Sequence, residues 1–551
     1  MFGLPLAGYL AVAWELVFRY ASFDGDAQAR LANAYYVLYS RDPHLAAVGF
    51  VWNPLPSFAV LPLVPLKVLW PALTTRAFAG NIMSAVFTAW STYMLYEFCR
   101  ELGLGRVVRI SCTALYALNP MIVYYAANGM SEALFLLTLV VGARYLARWA
   151  RDDGTISLVV AASALGVSYL ARNEAVFAAF FASVVVVAVA YRRGRGSWRE
   201  RGYRAATDAV IVSLPFVVCF VGWAVVSWII VKHPFVQFSS VYGTTSQLRV
   251  LGETTKIPTK LVALRRALTD TAALAPLLPV LACVAVWLSV WRRDLRVLAP
   301  LSIFGGVLVF AIAAYALNKT AGWFRYYITA VPLTVMLIAT IAACLLVDRT
   351  RRRRPRPRPT VTRVEIWMLA RGPRLLAGLG VALVVVVAAA SLPTTAWAMM
   401  DPNIGSEERQ HLGYFLERKP GDAGQQEQRN LYQSTVDIAH ALDGLALRHG
   451  SILVDDFTPC VSYIILNSRS PQQFVIPNDR DFERTLQDPG TFHVTYLLVP
   501  ATGGFGDLDA LNRQYPGLYA NGGGISTLVT SYEKPGCPAF RLFKVSSAPG
   551  A

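Results

Sequence analysis

The fold class this 551-residue sequence predicts is a polytopic α-helical membrane protein of about eleven transmembrane helices, followed by an extracytoplasmic α/β domain. Three observations carry that expectation. Hydrophobic residues make up 55% of the chain and charged residues 15%, with a mean hydropathy of +0.44, a balance that excludes disorder, fibrous repeats and an ordinary soluble enzyme. The apolar surplus sits in stretches of about 18 to 22 residues, the length that crosses a ~30 Å hydrocarbon core. The basic residues, which bring the formal charge to +17, cluster in alternate loops, as they do when they orient spans rather than bind nucleic acid.

The stretches lie at 4–20, 77–98, 110–126, 132–149, 156–171, 174–191, 208–231, 271–291, 298–317, 327–347 and 376–398. Between them fall Arg100/Arg106/Arg109, Arg144/Arg148/Arg151, Arg192 to Arg204, Arg292/Arg293/Arg296 and the run from Arg349 through Arg358. The positive-inside rule assigns all five clusters to the cytoplasm. The N-terminus is then inside a multi-pass protein of the cytoplasmic membrane. Loops 22–76, 127–131, 172–174, 232–270 and 318–326, with everything after 399, lie outside. The apolar run 55–70 carries Pro54, Pro56, Pro62 and Pro65 in or beside it, so it is expected to dip into the outer leaflet rather than span it. The first stretch begins almost at Met1, contains Glu15 and lacks a basic flank, which leaves its upstream end open; the positive n-region of a cleaved signal peptide is absent. The Arg- and Pro-rich linker 348–375 reads as a topological anchor on anionic lipid.

Residues 1–399 therefore form a membrane module, with juxtamembrane helices in its 22–76 loop, and residues 400–551 a separate domain. The latter holds 12 Lys/Arg against 17 Asp/Glu, a net charge of −5, which leaves +22 on the membrane part. Helical patterns near 429–447, 480–488 and 506–515 alternate with short apolar runs at Ile452-Leu453-Val454, Phe474-Val475-Ile476, Tyr496-Leu497-Leu498-Val499 and Leu542-Phe543, which favours a small α/β fold. Cys460 and Cys537 both fall in this domain, where a disulfide is permitted.

No Walker loop, HExxH, GxSxG or CxxC pattern is present, so the candidate chemistry rests on polar residues in the outer loops. Asp24 and Asp26 follow the first span and open a helical pattern; such acids cap a helix, act as a general base or form a metal-ligand pair. Asn128 and Glu132 stand where a span ends outside and the next begins, and an acid at a membrane mouth is either a cap or a functional group. Arg172 and Glu174 share a tight turn and are expected to pair with each other. Lys319 and Arg325 lie among Trp323, Tyr326 and Tyr327, a setting that suits an interfacial belt or a cation site for a lipid-linked phosphate.

At these residues the sequence resembles the polyprenyl-phosphate-sugar-dependent membrane glycosyltransferases of the GT-C fold, which include protein O-mannosyltransferases, aminoarabinose transferases and the oligosaccharyltransferase catalytic subunit. The shared pattern is an acid soon after span one (Asp24/Asp26), a Pro- and Trp-containing outer segment (Gly49 to Pro56), a second outer loop with an acid (Asn128 to Glu132, similar to the mouth motif of glycosylphosphatidylinositol mannosyltransferases) and a late Arg-Tyr followed by Pro-Leu. It spans roughly residues 1–347. The resemblance implies Asp26 or Asp24 as catalytic base, Arg325 with Lys319 as ligands of the donor phosphate, and Glu132, Asn128, Arg172 and Glu174 as supporting or substrate-binding groups. Asp26 and Glu132 would hold a divalent cation, Mg or Mn, if one takes part. The implied activity is inverting transfer of a sugar such as mannose or arabinose from a polyprenyl-phosphate donor to an envelope glycan, lipid or protein acceptor, with no role for nucleic acid. Two other readings of the same residues are a transporter or flippase of lipid-linked or small solutes, and a non-catalytic scaffold whose outer domain binds an acceptor.

Overall fold

A computed structural model describes residues 1–254, 258–346, 378–417 and 423–546. Each predicted apolar stretch is mostly helical where it is described, with breaks inside those at 110–126 and 271–291; the basic linker 348–375 falls outside the described residues. Six helices are by themselves long and apolar enough to cross a membrane: Glu132–Asp152, Ala175–Arg193, Trp198–Val231, Leu295–Ala316, Phe324–Leu346 and Gly378–Met400. Two bent pairs bring the number to as many as eight among the described residues. Arg106–Ala117 and Pro120–Ala127 meet at 62°, and Lys260–Leu274 and Leu278–Arg292 at 74°. The stretch at 110–126, expected as one span, is thus broken at Asn119-Pro120, where proline cannot donate the hydrogen bond that would continue the helix and Asn119 accepts from Met121 N instead.

The remaining expected spans are helical but short or charged. Gly3–Trp14 continues as a π-helical turn through Arg19, Thr155–Ala171 has 17 residues, and Phe78–Glu101 carries Glu97, Arg100 and Glu101 in its last turns. The run at 55–70 is a short helix, Leu55–Val60, followed by a 3₁₀ segment, Leu61–Val68, that exposes Leu66 and Val68, with Leu69 exposed just beyond it.

Burial separates the bundle into centre and rim. Phe324–Leu346 is surrounded on all sides, whereas Trp198–Val231 exposes Leu214, Val218, Val221, Trp228 and Ile229, the pattern of a helix that faces lipid. Helix Glu132–Asp152, about 31 Å long, separates the two ends of the bundle. At one end, Arg144 pairs with Glu101 at 2.6 Å, Arg151 donates to the Glu101 carbonyl, Arg193 donates to the Trp149 carbonyl, and Arg204 pairs with Asp153. Basic clusters from separate loops therefore gather there. At the other end, loops 22–76 and 318–326 meet the C-terminal part of the chain through Arg41–Asp479 and Arg325–Glu407, and loops 127–131 and 172–174 lie beside them around Glu132.

That domain is built on a five-stranded sheet: β1 (Ile452–Leu453), β2 (Phe474–Val475), β3 (Tyr496–Pro500), β4 (Ser526–Tyr532) and β5 (Phe540–Val545), in the order β2-β1-β3-β5-β4. β1 is parallel to β2 and β3, while β5 runs antiparallel to β3 and β4. The four expected runs are strands; β4, an exposed edge strand with a register shift at Leu528/Thr530, was not among them. The apolar run at Val461–Asn467 is a buried helix. One continuous core joins bundle and domain, with Phe23 and Tyr35 on one side and Ile438, Ile464 and Leu498 on the other. Polar contacts seal the join: Arg41 to Asp479 at 3.0 Å, Arg480 to Asp42 at 2.5 Å, and Tyr242 Oη to Asp455 at 2.6 Å.

Cys460 and Cys537 form a disulfide that closes 77 residues of chain. Cross-links of this kind restrict the unfolded ensemble and contribute about 2–4 kcal/mol. Replacing both cysteines by serine is expected to lower the stability of the C-terminal domain by that amount, read as a lower midpoint in thermal unfolding without reductant and faster cleavage in limited proteolysis.

Candidate active site

The site begins at the first turn of helix Gly25–Tyr39. Asp24 caps it, its Oδ1 accepting from Asp26 N at 3.1 Å and Ala27 N at 3.4 Å, which satisfies amides that have no partner within the helix. Of the two acids that either role suited, Asp24 is thus the cap. Asp26, in the first turn, points outward to Arg325, whose Nη2 lies 3.1 Å from its Oδ2. One turn on, Arg30 donates to the Asp26 carbonyl at 3.0 Å and lies over the ring of Trp52.

Arg325 sits on the 3₁₀ turn Phe324–Tyr327 at the head of the central helix and is only 6% exposed. A guanidinium so buried needs anions at its nitrogens. Its Nη1 is 2.5 Å from Glu407 Oε2, its Nε 3.6 Å from Glu132 Oε1, and the Trp323 ring covers it with the guanidinium carbon 4.2 Å from the centroid. Glu132, 1% exposed at the start of its helix, is shared with Arg172, which also pairs with Glu174 at 2.7 Å. The expected Arg172–Glu174 pair is therefore present within a larger network.

The loop between Asn128 and Glu132 owes its path to close packing. Gly129 has φ of +83°, and a Cβ there would stand 3.2 Å from the Cβ of Ala27 and from the carbonyl carbon of Gly80. Asn81 Nδ2 holds the Ala127 carbonyl at 2.5 Å, and Ser84 Oγ accepts from Gly129 N at 3.1 Å. Asn128 turns its Oδ1 to Met130 N, bracing the loop beside the ion pairs. Lys319 is exposed and stands outside this network.

Helix Ser406–Glu417 supplies residues that sequence reasoning missed. Besides Glu407, it places the fully buried Glu408 against Tyr125 Oη at 2.7 Å, and His411 Nδ1 at 3.2 Å from Ser22 Oγ. Two adjacent acids shortly after the last span, on the expected outer side, were the available signal. Asp26 and Glu132 are both engaged by Arg325, and among the described residues no group of three or more His, Cys, Asp or Glu could hold a metal ion.

Burial dominates the electrostatics. It pushes Asp24 up to about 7, with Asp26 adding to the rise, and pushes Glu407 upward against the opposing pull of Arg325. Glu408 is raised by burial, and His411 is lowered to about 4 by burial and by the charge of Arg325. Asp24 keeps its proton in the folded protein at pH values where the unfolded chain has released it. Its contribution to stability is full below the ordinary carboxylate range and is lost as pH rises through about 7. Thermal unfolding in detergent is expected to show a midpoint that falls from pH 5 to pH 8, with a shallower fall in Asp24→Asn; a midpoint rising over that range would contradict this assignment.

No protein-family model matches the sequence, and no curated protein matches it. Among solved structures, ArnT from Cupriavidus metallidurans, an aminoarabinose transferase crystallised with undecaprenyl phosphate, aligns over 99% of this chain and 98% of its own with a TM-score of 0.53 and 12% identity. The Archaeoglobus fulgidus oligosaccharyltransferase in its apo form aligns over 90% of this chain and 69% of its own, with a TM-score of 0.43 and 12% identity. The same organism's AglB, with an inhibitory peptide and a dolichol-phosphate, gives 0.41 at 10% identity over 99% and 74%. The whole-length likeness to ArnT shows the fold: this chain is a multi-pass membrane protein with the GT-C fold that the resemblance implied.

Proposed function

We propose that this chain is a membrane glycosyltransferase that moves a sugar from a polyprenyl-phosphate donor to a hydroxyl of an envelope glycan, lipid or protein. The observation that carries the reading is the buried Arg325 guanidinium bound to the Asp26 carboxylate at 3.1 Å, a cation for a phosphate beside a base for a hydroxyl. The ArnT structure with undecaprenyl phosphate supports a polyprenyl carrier for this fold.

In the proposed reaction the acceptor oxygen attacks the anomeric carbon while Asp26 takes its proton. The anomeric C–O bond to phosphate breaks, and the carrier phosphate leaves with the electron pair. A single displacement inverts the anomeric configuration. Arg325 stabilises the charge that develops on the departing phosphate, and the Arg172–Glu132 pair keeps Arg325 in place. The proton on Asp26 then passes to water. The arginines gathered at the opposite end support reading that end as cytoplasmic and the site and disulfide-bearing domain as outer; that domain would position the acceptor.

The test is transfer from a labelled polyprenyl-phosphate sugar in membranes. Asp26→Asn and Arg325→Ala are each expected to lower the rate by about a hundredfold or more while the proteins remain folded by thermal unfolding. Full activity in both variants would sink the assignment. Solute uptake into vesicles without sugar turnover would point to transport instead.

A further inference from the structure

The three carboxylates on Arg325 come from different parts of the chain. Asp26 belongs to a helix fixed by its Asp24 cap, and Glu132 is held a second time by Arg172. Glu407 arrives from helix Ser406–Glu417, between the last span and the C-terminal domain. Among the described residues its carboxylate makes its hydrogen bond and its ion pair with Arg325 alone.

The placement of Glu407 is built into the chain. A turn at 401–405 folds the helix back on the end of the last span, and Gly405 lies so close to it that a Cβ would stand 2.6 Å from the Met399 Cα. Glu408 is then anchored on Tyr125 and His411 on Ser22, so the helix is pinned on both sides of the site while the Glu407 side chain lies on the guanidinium.

We propose that Glu407 occupies the donor phosphate's place on Arg325, as an internal counter-ion that must swing aside when the lipid-linked phosphate binds and that returns as the spent carrier leaves. This rests on the reading of Arg325 as the phosphate ligand. A guanidinium offers five N–H donors, and in this arrangement all three of its nitrogens face carboxylates. A phosphate joining with Glu407 in place would add another anion beside Asp26, Glu132 and Glu174. Exchange avoids that crowding, because a sugar phosphodiester carries one negative charge, as does an ionised Glu407. After transfer the carrier is a phosphomonoester, whose second ionisation lies near pH 6, so its charge approaches two. The returning carboxylate supplies Arg325 with a counter-charge as that more tightly held product departs. Glu407 is suited to such traffic, since burial and the charges of Glu408, Asp24 and Asp26 all oppose its ionised form.

The experiment measures binding of undecaprenyl phosphate to the full-length protein in nanodiscs, for wild type, Glu407→Gln and Arg325→Ala. Removing an internal competitor raises apparent affinity by the reciprocal of the fraction of time the site stood free, so a tenfold gain means a site free about a tenth of the time. Glu407→Gln is expected to bind about tenfold tighter than wild type, and Arg325→Ala at least tenfold weaker. Unchanged or weaker binding by a folded Glu407→Gln, with Arg325→Ala still impaired, overturns the internal counter-ion and leaves Arg325 as phosphate ligand. Equal binding by wild type and Arg325→Ala overturns both. Should Glu407→Gln fail to fold, carboxyl labelling of the wild-type protein by a water-soluble carbodiimide and an amine, read by mass spectrometry, decides the matter. Labelling of Glu407 that rises on adding undecaprenyl phosphate, with Glu408 unchanged, supports the exchange; labelling that stays level or falls overturns it.

Discussion

A guanidinium withdrawn from water at the head of a buried helix is the constraint around which this molecule is arranged. Arg325 is nearly inaccessible, and a buried cation of this kind persists only where anions are held against it. Those anions come from the first loop, from the mouth of a spanning helix and from the segment before the C-terminal domain. Each provider is braced in turn: Asp26 by the cap at Asp24, Glu132 by Arg172, and the helix of Glu407 by Glu408 on Tyr125. The same contacts tie the first loop and the C-terminal domain to the bundle, so positioning a charge and closing the fold are one problem in this protein.

The membrane architecture is largely legible in the sequence because lipid imposes one local rule on every span. Apolar stretches of sufficient length became helices, and arginines in alternate loops marked which ends of those helices meet. Asn119-Pro120 also carried its own signal, and the bend there follows from the missing donor of proline. The edge strand β4 was harder to see: Thr527, Val529 and Thr530 have β propensity, but most of the strand faces solvent and shows no buried alternation.

Within the site, sequence patterns marked the loops but not the partners. Asp26 and Arg325 are 299 residues apart and Arg325 and Glu407 are 82 apart, separations across which no periodicity operates. Lys319 and Arg325 looked alike as cations among aromatic residues; burial at the head of the central helix distinguishes them, and burial is a property of tertiary packing. The roles of Asp24 and Asp26 likewise separated only in three dimensions, where one faces its own backbone and the other faces a guanidinium.

The position of helix Ser406–Glu417 along the chain bears on how the protein is made. Synthesis runs from the N-terminus, so Asp26, Glu132, Arg172 and Arg325 exist before Glu407 does. The charge cluster is therefore completed by its final contributor only after the last span has been threaded, and the sheet that follows cannot form until β3 and β5 are both available. A nascent chain carries this cluster unfinished through most of membrane insertion, and the domain made last is the one attached to the piece that finishes it.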